Sequence, residues 1–310
     1  MTPPSATDPS LTAPPSVGVV VPTLNRPLLL RETLESVREQ DYPGVLKTIV
    51  VYDQSEPDLS LASDDPLRPV EVIVNTRTPG AAGARNSGLL AAGTEYVGFC
   101  DDTDLFLPGK VTAQVAVLTS EPETEVVCCG LRLFGRTIED TDRGIPRPRV
   151  TREDLLGGHN PNLHPSALLL RRSSGLLFDE EIPGSYGEDY EFVLRAAGRA
   201  PIRQIPFVGL GLRWHEGSYF SVLNNAPLIS EAAQWMLAKH EFPCGGYAHW
   251  AGKVAFAEAV SARRSSALKW IWRTMVARPL DPRALLALAV TVGVPAAFIM
   301  KNLDRIGRGV

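Results

Sequence analysis

The sequence lacks any concentration of positive charge: 31 Lys and Arg stand against 35 Asp and Glu, a net charge of −4. No basic stripe or recognition motif is present, which excludes nucleic acid as an expected partner. Cysteine is scarce. Cys128 and Cys129 are adjacent while Cys100 and Cys244 lie far off, so there is neither metal-ligand spacing nor a disulfide framework. That pattern suits a reducing cytoplasm. No internal repeat is visible. Residues 1–16, rich in Pro, Ser and Thr, have no basic or long apolar segment and read as a disordered leader, not a signal peptide.

What the sequence does contain is an apolar run that ends abruptly in acid: Tyr96-Val-Gly-Phe-Cys-Asp101-Asp102-Thr103-Asp104. Val97 to Cys100 has the length and boundaries of a buried strand. Carboxylates packed so closely repel one another, and a cation or cationic partner offsets the repulsion. In open α/β sheets the carboxyl end of a strand is also where ligands sit.

Upstream, strand and helix patterns alternate with short connections. Val17–Val21, Leu46–Val51 and Val70–Asn75 read as strands, with helical spacing over Leu28–Gln40 and a small-residue turn at Gly80 opening a helix to about Ala92. This alternation predicts a parallel, doubly wound sheet through about residue 105. Each loop that carries polar residues follows a strand, so these residues converge on one edge. Further strands are expected at Val126–Phe134, Ala167–Leu170 and Val208–Trp214, with a helix over Asp189–Ala197. From Leu228 the pattern is helical, which places a boundary near 225.

Ala284 to Met300 is uncharged and flanked by Arg278, Arg283, Lys301, Arg305 and Arg308. It is slightly short for a bilayer span, and Pro295 would kink it. Leu268-Lys-Trp-Ile-Trp-Arg-Thr-Met275 mixes tryptophan and cations as interfacial helices do. The expectation is attachment to a membrane surface.

In order and spacing, the loops resemble family 2 glycosyltransferases. The carrying motifs are Val19-Val-Val-Pro-Thr-Leu-Asn-Arg26, Ile49-Val-Val-Tyr-Asp-Gln-Ser-Glu56, Pro79-Gly-Ala-Ala-Gly-Ala-Arg-Asn86, the acidic turn, and Gly187-Glu-Asp-Tyr-Glu-Phe192. The resemblance covers about residues 17 to 215. It implies an α/β fold, GT-A Rossmann-like, with a mostly parallel sheet and helices on both faces. Residues 17–225 would form that domain, divided into a nucleotide-binding half (17–105) and an acceptor half (106–225). Residues 226–310 would be a helical, membrane-associating extension.

The implied activity is inverting transfer of a sugar from a nucleotide-diphosphate sugar to a glycan or lipid-linked hydroxyl. The implied location is cytoplasmic, peripheral at the inner face of the plasma membrane. The resemblance places Asp53 on the base and Pro22, Thr23, Asn25 and Arg26 around base and ribose. Asp101 and Asp102 are expected beside the nucleotide, with Gly80, Arg85 and Asn86 on the diphosphate side. Asp189 would be the general base and Glu188 its support. A divalent cation, Mn2+ or Mg2+, is expected on Asp102, Asp104 and His215. His164, Ser166 and Trp214 would line the acceptor side. Two departures stand out: Tyr52 occupies a usual acid position, and Thr103 replaces the carboxylate that binds the cation in relatives.

Locally, Gly80 to Asn86 lets backbone amides approach an anion at a helix amino end. Thr103 motivates an alternative, a catalytically impaired protein that binds a nucleotide sugar or a partner. The intact Glu188–Asp189 pair argues against such decay. A nucleotidyltransferase would want a glycine-rich loop with Arg and Lys directly after the first strand, where this chain has Pro22-Thr-Leu-Asn-Arg26.

Overall fold

The computed structural model describes residues 13–135, 138–143, 147–157, 163–213 and 222–305. β1 (Val17–Thr23), β2 (Leu46–Tyr52), β3 (Val70–Val74) and β4 (Tyr96–Phe99) form the parallel half of one sheet, in the order β3-β2-β1-β4. α1 (Pro27–Arg38) connects β1 to β2, and α2 (Ala81–Ala91) connects β3 to β4. Val17, Val19, Val20, Val21, Ile49, Val50 and Val51 are fully buried. A strand covered on both faces needs such a continuous β-branched run.

The second half comprises β5 (Leu105–Phe106), α3 (Lys110–Ser120), β6 (Val126–Gly135), β7 (Ile138–Arg143), β8 (Arg149–Val150), α4 (Arg152–Leu156), β9 (Leu168–Arg171), α5 (Glu188–Arg199) and β10 (Ile202–Arg213). β9 lies between β4 and β6 and runs antiparallel to both, while β10 is parallel to β6. The strand expected at Val208 begins earlier, at Ile202. Its register with β6 slips between Gln204 and Val208, where Pro206 lacks a ladder donor.

α6 (Val222–Lys239), α7 (Cys244–Val260), α8 (Arg264–Ala277), α9 (Pro282–Thr291) and α10 (Ala296–Arg305) complete the chain. The apolar run 284–300 is therefore two helices, not one. Gly293, at φ 113°, and Pro295 separate them. Among the described residues no helix is long and apolar enough to cross a membrane.

α2 lies so close to the sheet that a Cβ at Gly88 would sit 2.3 Å from Val20 Cγ1. Gly88→Ala should therefore lower stability by about 1–3 kcal/mol through overpacking, measured by urea denaturation. An unchanged midpoint would show that the helix can move outward freely.

Candidate active site

Because β1, β2 and β4 are parallel, the loops that follow them share one edge. Asp102 organises the first. It accepts hydrogen bonds from Thr23 Oγ1 (2.8 Å), the Leu24 amide (3.4 Å) and the Arg26 guanidinium (2.8 Å). Asn25 takes a left-handed φ of 55° inside this loop, a conformation asparagine tolerates better than most residues.

Asp53 organises the next. It is buried and accepts from the Gly80 amide (2.9 Å), Asn75 Nδ2 (2.8 Å) and Gln54 Nε2 (3.1 Å). Tyr52 packs into the core beneath it. Asn75, which sequence reasoning passed over as a strand end, also donates to the Thr78 carbonyl and accepts from Ser87 Oγ. The turn from 75 to 80 is thus built on Asp53 and Asn75. Gly80 has φ 115°, and a Cβ there would meet Ser185 Oγ at 2.8 Å.

Arg85 is placed differently from the expectation of a phosphate ligand. It is 4% exposed, and its terminal nitrogens donate to Asp101 Oδ1 and Glu188 Oε1, both at 2.7 Å. Its guanidinium also lies 5.3 Å from the centre of the Phe178 ring. Phe178 stacks on Phe192 at 4.2 Å, with Phe99 edge-on. A cation withdrawn from water onto this aromatic floor requires carboxylates at its donors. Asn86 is likewise committed to the protein. It exchanges hydrogen bonds with the Phe178 backbone and donates to Glu180 Oε1 at 2.6 Å. Glu180, a second residue the sequence did not single out, also receives Arg77 and the Thr78 amide. These bonds outweigh burial and draw its carboxyl down to about 2.

The acidic turn spreads its charges over separate partners. Burial works against ionisation of Asp101, but Arg85, with His164 and Arg26, outweighs it and holds the carboxyl below its usual range. Asp104 is 1% exposed; Ser166 Oγ donates to its Oδ2 at 2.7 Å, and its Oδ1 is buried without a partner. Burial pushes this carboxyl up to about 6, tempered by His164. His164 Nδ1 lies 3.6 Å from Asp104, and Nε2 lies 3.8 Å from Asp101. One donor atom from each of Asp101, Asp104 and His164 falls within 4.8 Å of the others.

Two carboxylates, an imidazole and an orphaned carboxylate oxygen suit a divalent cation. The fit differs from the expected ligand set. Asp104 belongs to the trio, Asp102 is turned to Thr23 and Arg26, and His215, like Trp214, lies outside the described residues. His164 and Ser166, expected on the acceptor side, are drawn into the acidic turn instead. Thr103 offers its carbonyl to Arg213 Nε at 3.3 Å.

Glu188 and Asp189 open α5 behind Gly187, whose φ is 84°. Glu188 is buried on Arg85. Burial, then the adjacent Asp189 carboxylate, push it up to about 7 against the pull of that arginine. Asp189 is partly exposed and accepts a hydrogen bond from the Tyr190 amide at 2.7 Å. It is the more available of the two carboxylates.

Comparison with known proteins fits this geometry. Residues 18–175 match the model of the family described as glycosyl transferase family 2. The chain is 26% identical over 198 residues to the uncharacterized glycosyltransferase EpsJ of Bacillus subtilis, covering 59% of this chain and 56% of that one. It is 35% identical over 104 residues to a GalNAc(5)-diNAcBac-PP-undecaprenol beta-1,3-glucosyltransferase of Campylobacter jejuni, covering 32% and 33%. The chain thus spans little more than half the length of EpsJ and a third of the Campylobacter enzyme. Among solved structures it resembles S. aureus TarS 1–349 in complex with UDP-GlcNAc, with a TM-score of 0.55, 18% identity and coverage of 94% and 92%. It also resembles the mannosyltransferase PcManGT of Pyrobaculum calidifontis in complex with GDP-Man and Mn2+, with a TM-score of 0.52, 20% identity and coverage of 98% and 84%. These likenesses show a GT-A fold.

Replacing Arg85 by Leu should strand two carboxylates around an apolar side chain. Breaking a buried pair costs about 3–5 kcal/mol, and the lower end applies because Asp101 is 28% exposed. Chemical denaturation reads this directly. A loss below about 1 kcal/mol, the range of a surface pair, would contradict the role given to Arg85.

Proposed function

The chain belongs to glycosyl transferase family 2, and we propose that it transfers a sugar from a nucleotide-diphosphate sugar to an acceptor hydroxyl with inversion at the anomeric carbon. The observation that carries this reading is the meeting of Asp53, the Asp101–Asp104 turn and the Glu188–Asp189 pair on one sheet edge, with Arg85 joining the last two. Asp53 and the Thr23–Arg26 loop form the nucleotide side. Asp189 takes the proton from the acceptor hydroxyl as its oxygen attacks the anomeric carbon. The bond from that carbon to the diphosphate breaks on the opposite face, and the nucleoside diphosphate leaves with the electron pair. Glu188, fixed by Arg85, holds the base loop in register with the donor side.

Asp101, Asp104 and His164 would hold Mn2+ or Mg2+, whose chemistry is to neutralise charge on a leaving diphosphate. With such a trio present, Thr103 does not favour an impaired site. The Campylobacter relative is named for an undecaprenol-diphosphate-linked glycan, which supports a lipid-linked acceptor here. A lipid-linked acceptor would place the enzyme at a membrane surface, its inner face being the side where nucleotide sugars are available.

Asp189→Asn should lower kcat by about 100- to 10,000-fold, the usual contribution of a general base, while binding of the donor persists. Steady-state transfer assays and donor titration of the same variant test this. Full turnover by the variant, or loss of donor binding with turnover per bound donor unchanged, would overturn the assignment.

A further inference from the structure

The last three helices present an apolar surface on the side away from the rest of the protein. α8 buries Ala267, Trp270, Ile271 and Thr274 inward and leaves Leu268, Trp272 and Val276 exposed, at i, i+4 and i+8 on its outer face. Residues at that spacing form one stripe. α9 does the same, with Ala284 and Ala287 buried and Leu285, Leu288 and, just past its end, Val292 exposed. Leu280 and Phe298 extend the surface. Nine of the sixteen exposed large hydrophobic side chains of the described residues fall between 268 and 298, so this is a concentrated face and not ordinary scatter.

Over residues 262–302 the exposed charge is of one sign. Between 262 and 302, Arg263, Arg264, Lys269, Arg273, Arg278 and Lys301 are exposed. The single acid in that stretch, Asp281, is 1% exposed and spent on capping α9, where it accepts the Arg283 amide at 2.9 Å. Apolar stripes with tryptophan, bordered by cations and with no exposed acid from 262 to 302, complement the surface of an anionic bilayer. α9 and α10 are ten residues each, roughly 15 Å long against a hydrocarbon core of roughly 30 Å, so they suit the interface and not a crossing.

The same helices back onto the active site. α8 and α9 pack on α7, and α7 supports the base loop from the other side. Lys253 Nζ donates to Tyr186 OH at 3.0 Å, and the Trp250 ring lies 3.2 Å from where a Gly187 Cβ would stand. We infer that α8, α9 and α10 form a docking face for an anionic lipid surface, which sets the Glu188–Asp189 edge one helix layer from the bilayer. The purpose of this docking rests on the lipid-linked acceptor proposed above; the binding itself does not.

The test is co-sedimentation of the full chain with vesicles of phosphatidylcholine mixed with phosphatidylglycerol, and with vesicles of phosphatidylcholine alone. The chain should pellet with the mixed vesicles, far less with the neutral ones, and be partly released by salt. Leu268→Ser with Trp272→Ser should reduce binding by about tenfold or more, since the apolar face drives insertion. Lys269→Glu with Arg273→Glu should abolish the preference for anionic lipid. Unchanged melting temperature in each double variant shows that the fold survives. No binding to mixed vesicles, or binding that neither pair alters, overturns the inference. So does a dimer in solution that the Trp272 variant dissociates while vesicle binding is absent, because the face would then belong to a second copy. Donor titration separates the two readings: vesicle binding without nucleotide-sugar binding defeats the enzymatic proposal alone, and the reverse defeats the docking face alone.

Discussion

A single buried guanidinium holds the two chemical halves of this site together. Arg85 has no solvent to hydrate it, so its stability depends on Asp101 and Glu188 approaching from different parts of the chain. One comes from the turn after β4 and the other from the start of α5, more than eighty residues later. Removing the arginine leaves two carboxylates facing each other without their cation, a costly state. The acidic turn and the 187–189 turn are therefore tied to each other through one side chain and its two partners.

The same need for compensation explains how three carboxylates fit into four residues. Each is given a different counterpart: Asp101 takes Arg85, Asp102 takes Arg26 and Thr23, and Asp104 takes Ser166 with His164 nearby. Asp104 is the least satisfied, with one oxygen buried and unbonded. That residual demand is what makes the Asp101–Asp104–His164 trio suited to a cation without a carboxylate at position 103.

Much of this was legible before the structure. The parallel strands could be read because burial on both faces demands unbroken Val and Ile runs, and the loops after them were marked by abrupt polarity. The convergence of Asp53 and Asp102 followed from strand direction, whereas the 187–189 turn was expected beside them from the family resemblance alone. Other features depend on contacts between distant segments and leave no local trace. Nothing around Arg85 says whether it faces a phosphate or is clamped between carboxylates; that is decided by Glu188, 103 residues away. Asn86, expected beside the donor, is held by Phe178 and Glu180 for the same reason. His164, expected on the acceptor side, reaches the acidic turn because β9 is inserted antiparallel beside β4. The apolar run from 284 to 300 reads as continuous in composition, yet Gly293 and Pro295 divide it into two helices.

The central claim is that the edge built on Asp53 and Asp102 receives a nucleotide-diphosphate sugar. Calorimetric titration of UDP-, GDP- and dTDP-sugars into the full chain, with Mn2+ and with EDTA, tests it most directly, with Asp53→Asn measured in parallel. The account predicts saturable one-site binding of one of these donors, weakened roughly tenfold or more by Asp53→Asn, as expected for loss of a charged hydrogen-bond acceptor. Absence of binding by all of them under both conditions would contradict the account, as would affinity unaffected by the change at Asp53.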